Sequence, residues 1–282
     1  MNNKLILLQD RAIIEIKGKD AKKFLQGLIS NDINSASSSK LLYAAMLNAQ
    51  GRFLYDIFIF EKDGILFVDC LKSRRDEIMK KLTFYKLKAD VVLKKNDELQ
   101  VFSYFGDKND NEDLGKNLAN AMIFEDARNK NMGKRIYVAQ KIDENLLEKD
   151  DKKYHFRRIS LKIAESEHDL TYEKSIILEF GFDELSAIDY QKGCYVGQEL
   201  TARTHHLGQV RKKLFHVEID NLEQIEKNCE IYCEGKNIGI ILSSVKFGDK
   251  LSALALLKTE NETQDSNNLC VTEEKNKLTI IN

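Results

Sequence analysis

The sequence contains no proline, only five cysteines and five histidines, and a net charge of only −1. Without proline the turns must depend on Gly, Asn, Asp and Ser, and the many Lys, Asn and Ile residues indicate a genomic composition bias. The balanced charge gives no overall attraction to nucleic acid or to a membrane. No apolar run reaches the roughly 18 residues that cross a bilayer. We therefore expect no membrane partner and no direct binding to nucleic acid.

The N-terminal residues also lack the charged-then-apolar pattern and the small-residue cleavage site of a secretory signal. Hydrophobic residues make up 43% of the 282-residue chain and charged residues 32%, which is typical of a globular protein with about two domains. The odd, scattered set of cysteines argues against a disulfide framework. These features predict a cytoplasmic protein.

Two of the cysteines, Cys229 and Cys233, are close enough in sequence to suggest a metal site. The residues around them are typical of a strand, where an offset of four separates two side chains by about 13 Å. One metal ion cannot bind both at that distance, and no His-x-x-x-His pattern occurs. We therefore expect no metal site.

The most informative stretch is residues 192–199, which read Lys-Gly-Cys-Tyr-Val-Gly-Gln-Glu. Gly193 and Gly197 flank Cys194 and predict a tight turn, and the residues that follow predict the start of a helix. A thiol near Lys192 and a helix N-terminus is biased toward the thiolate, the form that attacks electrophiles and binds metals. The alternative is a buried structural cysteine in an ordinary turn.

Strand and helix patterns divide the chain into two regions. Residues 1–207 alternate strands and amphipathic helices, with one subdomain at roughly 41–105, and this order fits ferredoxin-like layers of helices on an antiparallel sheet. Within it, Asp63-Gly64 predicts a tight hairpin. Residues 208–282 contain five or six short strands between Gly, Asn and Asp turns, which is typical of a small β-barrel. The predicted fold class is α+β with a small C-terminal barrel.

Local signals predict several element boundaries. Asp20 is the predicted N-cap of the helix that follows it. Ser73 and Asp76 predict a capping box at the start of a later helix. The very polar residues 106–120 predict an exposed loop.

Two basic segments have more than one interpretation. A charged helix is predicted over residues 144–163, and its Arg157 and Arg158 could meet an anion, although charge patterning favours a solvated face. A second basic run lies at residues 203–213. It suits a phosphate or a carboxylate-rich ligand as well as it suits solvent.

Asp56 is a carboxylate on the largely apolar strand predicted for residues 52–60. Burying an aspartate without a partner is costly. The side chain is therefore either hydrogen-bonded within the protein or faces a cavity, where it would contact a ligand amine or ring nitrogen. The residues alone leave both alternatives open.

The 192–199 motif, with Arg203 four residues after Glu199, resembles the signature of the YgfZ family. These are folate-binding proteins tied to iron–sulfur cluster maintenance, and they include a mitochondrial assembly factor. Residues 24–32, Phe-Leu-Gln-Gly-Leu-Ile-Ser-Asn-Asp, are a second, independent match. The family is similar in fold to the glycine-cleavage T-protein, an aminomethyltransferase that uses tetrahydrofolate. The resemblance covers nearly the whole chain.

The resemblance implies domains around a central cavity that binds tetrahydrofolate or a related folate. Asp56 lies where the T-protein carries the aspartate that works on its folate, and Asn31, Asp32 and Tyr43 would also line the cavity. Tyr55 stands where the T-protein has a second acidic residue. That departure argues against aminomethyl transfer.

The resemblance further implies an accessory factor, rather than a classical enzyme, for the assembly or repair of iron–sulfur clusters, including those of tRNA-modifying enzymes. Cys194 would be the reactive group and Lys192 would keep it ionised. The other motif residues would shape the site: Gly193, Tyr195, Gly197, Gln198, Glu199 and Arg203.

A four-iron cluster needs about four ligands, so a single cysteine could hold one only transiently and together with a partner. That partner would be an iron–sulfur protein or another assembly factor. One alternative function is a tetrahydrofolate-dependent aminomethyltransferase. Another is an RNA-binding module, which the net charge of −1 fits poorly.

Overall fold

The computed structural model describes residues 4–106, 118, 120–208, 210–259, 269–271 and 276–281. The loop predicted over residues 106–120 lies largely outside these ranges. No helix among the described residues is both long enough and apolar enough to cross a membrane.

Strands and helices alternate in the first part of the chain, and strands dominate the last. The strands are β1 (Leu5–Leu7), β2 (Arg11–Lys17), β3 (Leu42–Leu47), β4 (Phe53–Lys62), β5 (Ile65–Leu71), β6 (Val92–Asn96), β7 (Gln100–Tyr104), β8 (Met122–Glu125), β9 (Lys134–Val138), β10 (Lys212–Ile219), β11 (Glu230–Cys233), β12 (Lys236–Phe247), β13 (Lys250–Lys258), β14 (Leu269–Val271) and β15 (Asn276–Ile281). The helices are α1 (Ala21–Gln26), α2 (Arg75–Lys86), α3 (Lys152–Ser160), α4 (Ser166–Asp169) and α5 (Gln198–Leu207).

The chain divides into two compact units, and the first is discontinuous. The first unit contains Met1–Asp151 and Leu185–Gln198, and the second contains Lys152–Glu184 and Glu199–Asn282. The chain therefore leaves the first unit and later returns to it with the segment that carries Cys194. The regions expected from the sequence, 1–207 and 208–282, stay a prediction.

Two antiparallel sheets form the first unit. One has the strand order β3-β4-β5-β2-β6 and the other the order β1-β7-β9-β8. Asp63 and Gly64 connect β4 to β5 with positive φ angles of 52° and 74°, as expected where a two-residue hairpin needs φ > 0 at both positions. The predicted hairpin is confirmed. Strands β3 and β4 are buried along most of their length and form the core of this unit.

The second unit contains a closed barrel with the strand order β10-β13-β12-β11-β14-β15. This confirms the small C-terminal barrel expected from the sequence. Closing the sheet on itself pairs its edges. Short aliphatic side chains fill the interior, among them Val217, Ile219, Ile231, Ile241, Leu251, Ala253 and Leu278.

Asp20 is the N-cap residue of α1, as predicted, but its side chain makes no capping bond, and the predicted capping box at Ser73 is wrong. The Asp20 carboxylate accepts a hydrogen bond from the Asp90 backbone N–H (2.8 Å) and makes no capping bond to α1. Helix α2 begins at Arg75, so Ser73 lies in the 3₁₀ turn that precedes it. No side chain caps the start of α2.

The helix predicted over residues 144–163 is in fact a 3₁₀ turn at Glu144–Leu146 and the shorter helix α3. Arg157 is exposed, but Arg158 is buried, and its Nη1 donates to Asp169 Oδ2 at 2.6 Å. The expected solvated position is therefore wrong for Arg158. A guanidinium can be buried when a carboxylate compensates its charge, and the sequence pattern of the helix does not show that partner.

Candidate functional site

The returning segment, residues 185–198, lies along the turn that follows α1. We call this segment the cysteine loop and residues 26–31 the acceptor turn. Ser30 Oγ donates to the Ala187 carbonyl at 2.6 Å, and the Asp189 backbone N–H donates to the Ser30 carbonyl at 3.0 Å. The two stretches whose sequences resemble one family therefore lie next to each other in the structure.

Lys192 fastens the cysteine loop to the acceptor turn. Its Nζ donates to the carbonyls of Gln26 and Ile29 at 2.7 Å each and to that of Asn31 at 2.8 Å. An ammonium group has three N–H donors, so three carbonyls match its full capacity. The last carbonyls of a helix have no partner within the helix, and a lysine can satisfy them. Lys192 does this for the end of α1 and the turn beyond it.

The surroundings of Lys192 also change its ionisation. Burial lowers the pKa of the Lys192 ammonium to about 8, while the carboxylates of Asp32 and Asp189 act in the opposite direction. The ammonium also lies 5.1 Å from the centroid of the Tyr195 ring. These contacts direct the N–H donors of Lys192 to backbone carbonyls, and its expected role in keeping Cys194 ionised stays a prediction.

The second half of the cysteine loop packs closely against the β3–β4 turn. Gly197 has a φ of +83°, and a Cβ there would lie 2.4 Å from the Asn48 carbonyl oxygen and 2.7 Å from Leu47 Cβ. Only glycine fits such a position without displacement. At the first residue of α5, the Gln198 side-chain oxygen accepts the Tyr195 backbone N–H at 3.1 Å. Tyr195, Gly197 and Gln198 therefore build the loop.

Cys194 itself is exposed and forms no disulfide bond. A Cβ on the preceding Gly193 would meet nothing within 4 Å. The structure therefore excludes the alternative of a buried structural cysteine. Cys70 provides the contrast, since it is buried, and burial raises the pKa of its thiol to about 12. Among the cysteines whose side chains the structure describes, Cys194 is the one presented to solvent.

Glu199 and Arg203 lie on α5 and are both exposed. They belong to the second unit, whereas Cys194 belongs to the first. Their spacing of four residues places the two side chains on one face of the helix. Their contribution to a site around Cys194 stays a prediction.

A cavity of about 410 Å³ opens in the first unit beside the cysteine loop. Its volume is in the range of small-molecule sites. Asn31 and Tyr43, both predicted ligand contacts, line it together with Lys40, Asp189 and Tyr190. The sequence analysis missed the last three residues. Asp189 and Tyr190 lie three and two residues before the motif, and that proximity is the signal that could have identified them.

Most of the predicted folate contacts already have hydrogen-bond partners inside the protein. Asn31 Nδ2 donates to the carbonyls of Tyr43 (2.8 Å) and Ser186 (2.7 Å), and its Oδ1 accepts the Asp32 backbone N–H. Asp56 is buried and accepts the Tyr43 hydroxyl at 3.3 Å. Of the two alternatives for Asp56, the structure shows the internal hydrogen bond. Asp32 and Asp56 are not among the residues that line the cavity.

A buried charge network in the same unit was not expected from the sequence. Asp69 accepts hydrogen bonds from Arg11 Nε (2.7 Å), Arg135 Nε (2.7 Å) and the Tyr137 hydroxyl (3.0 Å). The Arg135 guanidinium lies 3.9 Å from the centroid of the Phe58 ring. The network connects β2, β5 and β9 and so joins the two sheets of the unit.

The described residues contain no group of three or more His, Cys, Asp and Glu side chains arranged to hold a metal ion. A cluster at Cys194 would therefore need ligands from outside this part of the chain. Within the described residues, the chain offers the exposed thiol of Cys194 on a loop fastened on both sides of it.

The sequence is similar to several curated proteins named as mitochondrial iron–sulfur cluster assembly factors. It is 33% identical over 230 residues to the IBA57 homologue of Neurospora crassa and 32% identical over 235 residues to human IBA57, in each case across 74% of this chain. The chain spans 52% of the Neurospora protein and 65% of the human one. No protein-family model matches the sequence.

Among solved structures, the fold is similar to that of glycine cleavage system aminomethyltransferase T from Bartonella henselae. The TM-score is 0.77 at 13% sequence identity, covering 100% of this chain and 85% of the other. This similarity confirms the predicted T-protein-like fold. At such low identity it shows the fold alone.

The curated relatives overturn the expected cytoplasmic localisation. The fungal and mammalian proteins are all named as mitochondrial, which points to mitochondria rather than to the general cytoplasm. The expectation depended on a missing secretory pattern at the N-terminus, and a missing secretory signal does not identify the compartment.

Proposed function

We propose that this protein acts in iron–sulfur cluster assembly and that Cys194 is its point of contact with the cluster. The observation that carries the proposal is the similarity, across about three quarters of the chain, to proteins named as iron–sulfur cluster assembly factors. The exposed position of Cys194 supports it. The chain spans only part of these relatives, so its partners and target enzymes belong to the proposal.

In this proposal the cluster is cargo. The Cys194 thiolate supplies one ligand, and an iron–sulfur protein or another assembly factor supplies the others, because a four-iron cluster needs about four. The cysteine loop holds the thiol toward solvent: Lys192 fixes the segment before it and Gly197 the segment after it. A cluster shared between two proteins can pass to the partner when the single Cys194 bond breaks. Target enzymes would include tRNA-modifying ones.

A finer proposal is that the 410 Å³ cavity binds tetrahydrofolate or a related folate, as in the YgfZ family. The aromatic ring of Tyr190, which is 39% exposed, offers a surface for a pterin or a benzoyl group. Lys40 offers a cation for the glutamate tail, and Asp189 an acceptor for ring N–H groups. These residue types fit a folate.

Aminomethyl transfer is the second candidate, because the solved structure with a similar fold is an aminomethyltransferase, although that similarity shows the fold alone. Tyr55 argues against it. This residue is buried, and its hydroxyl donates to Glu77 Oε1 at 2.7 Å. A tyrosine engaged in this way supplies no carboxylate for the reaction.

The experiment that tests the main proposal is restoration of a four-iron enzyme, such as aconitase, in cells that lack this gene. We expect the wild-type protein to restore activity and Cys194→Ala to restore less than about a tenth of it, because a lost metal ligand has no substitute on the loop. Cys229→Ala, at a partly buried cysteine of the barrel unit, is the matched control.

Equal restoration by wild type and Cys194→Ala would show that the thiol is dispensable. If neither restores aconitase, the purified protein is assayed for glycine-cleavage activity. Activity in that assay would support aminomethyl transfer, the second candidate. Folate binding is tested separately, by calorimetry with tetrahydrofolate and its triglutamate form. We expect Lys40→Glu to weaken the triglutamate form more than tetrahydrofolate itself, and equal losses would contradict the assignment of Lys40 to the tail.

A further inference from the structure

The end of α2 and the start of β6 present apolar side chains to solvent. Leu87 is 87% exposed, Phe84 77% and Val92 59%, and Tyr85 is also exposed. The rings of Phe84 and Tyr85 contact each other edge to face at 5.6 Å. We call these four residues the apolar tip. They lie within nine residues of sequence in the first unit and have no part in the site around Cys194.

Leu87 is also held in an unfavourable backbone conformation. Its φ is +47° and its ψ is −113°, a positive-φ conformation that a leucine rarely adopts. Leu87 buries little apolar surface in the folded chain. Strain of this kind is a reason to look for a role in binding.

Four lysines surround the apolar tip. Lys80 and Lys81 lie three to four residues before Phe84 and Tyr85, which places them beside the rings on the helix surface, and Lys86 and Lys88 flank Leu87. Two carboxylates lie nearby: Asp76, whose pKa is lowered by a hydrogen bond from Lys95 and also by the charge of Lys80, and Asp90, which pairs with Lys19 at 3.9 Å. The chain as a whole has a net charge of −1, so this is a local concentration of positive charge.

We propose that the apolar tip inserts into the surface of an anionic membrane and that these lysines bind its headgroups. Apolar side chains beside lysines are the usual composition of an interfacial anchor, and lysines near an anionic surface add to the attraction. Side chains this exposed project from the protein, so burying them requires a partner that closes around them. A bilayer surface does so without a complementary shape.

This proposal revises the expectation of no membrane partner. That expectation depended on the absence of a spanning segment, which a surface anchor does not need. The proposal stands apart from the function proposed for Cys194, and either can fail without the other.

The test is flotation of the whole protein with vesicles of phosphatidylcholine, with and without about one third phosphatidylglycerol. We expect the wild-type protein to float with the anionic vesicles, to float far less with the neutral ones, and to be released by salt. Lys80→Glu should weaken binding at least fivefold. Phe84→Ser combined with Leu87→Gly should weaken it at least tenfold.

The Leu87→Gly variant distinguishes a loss of membrane binding from misfolding. Glycine suits a positive φ, so this variant should fold at least as well as wild type. Leu146→Ser and Lys236→Glu, at exposed positions elsewhere, are the matched controls and should float like wild type. The proposal is overturned if the wild type does not float, or if the tip variants float equally well. It is also overturned if the tip variants instead abolish a dimer seen by sedimentation, since the tip would then bind a second copy.

Discussion

The two glycines on either side of Cys194 have opposite surroundings. A Cβ at Gly197 would lie 2.4 Å from a backbone carbonyl oxygen, whereas a Cβ at Gly193 would meet nothing within 4 Å. Packing against the β3–β4 turn explains the first glycine. No contact among the described residues requires a glycine at position 193. The comparison shows that one side of the loop is shaped by the fold and the other is open to whatever approaches the thiol.

Gly197→Ala should have the largest effect. The added methyl group would collide with backbone and would also have to adopt a positive φ, so we expect a loss of about 3 kcal/mol in the free energy of unfolding. Urea unfolding measures it. Gly64→Ala is the matched control, because Gly64 has a φ of +74° with nothing within 4 Å and should lose only about 1 kcal/mol. Equal losses would mean that the close contact at Gly197 is unimportant.

Lys192→Met should have the next largest effect. It leaves three carbonyls of the acceptor turn without their donor, and relief of a half-buried charge offsets part of that cost. We expect a net loss of about 2 kcal/mol in the free energy of unfolding and faster proteolysis within the cysteine loop. Lys23→Met, on α1, is the control. A Lys192→Met loop that resists protease as well as wild type would show that the three hydrogen bonds do not hold it.

The wild type and the Lys192→Met variant should respond differently to pH. The pKa of Lys192 is about 8 in the folded protein and 10.5 without the fold. Between these values only the unfolded chain keeps the proton, so stability rises with pH in that window. We therefore expect the wild type to gain about 1 kcal/mol over Lys192→Met between pH 8 and 10, reduced from the full linkage value because the group is half exposed. A constant difference across the window would contradict the lowered pKa.

Gly193→Ala should have the smallest effect on stability, within about 0.5 kcal/mol, because the position is open. Aconitase restoration is the second measurement. If a partner approaches the thiol closely, this variant should lose restoration while it keeps its stability. Full restoration would show that the open side of the loop needs no glycine.

The sequence was sufficient for features that depend on local chemistry. The hairpin at Asp63-Gly64 follows from two residues that tolerate positive φ. The barrel strands follow from short apolar runs between turn residues, because each run can bury one face in the same interior. The exposed position of Cys194 was also expected, from the flanking glycines, Lys192 and the polar start of the helix that follows.

Features that depend on distant partners were not predictable in this way. Lys192 is two residues from Cys194, and the sequence therefore suggested a role for it at the thiol. Its actual partners, such as Gln26, lie more than 160 residues earlier in the chain. Arg158 was expected in solvent for the same reason, since its partner Asp169 lies beyond the end of its helix. A single sequence gives the periodicity of each element but not the pairs that meet across elements.

The discontinuity of the first unit has a consequence for the order of events during synthesis. A ribosome makes the acceptor turn early, but the cysteine loop emerges only after Lys152–Glu184, which belongs to the other unit. Domains tend to fold as they emerge, N-terminal parts first. The carbonyls at the end of α1 therefore have no Lys192 to bind until more than half of the chain has been made after them. The fastened loop is thus one of the last parts of its unit to form, and a chain displays Cys194 in its final position only once that unit is complete.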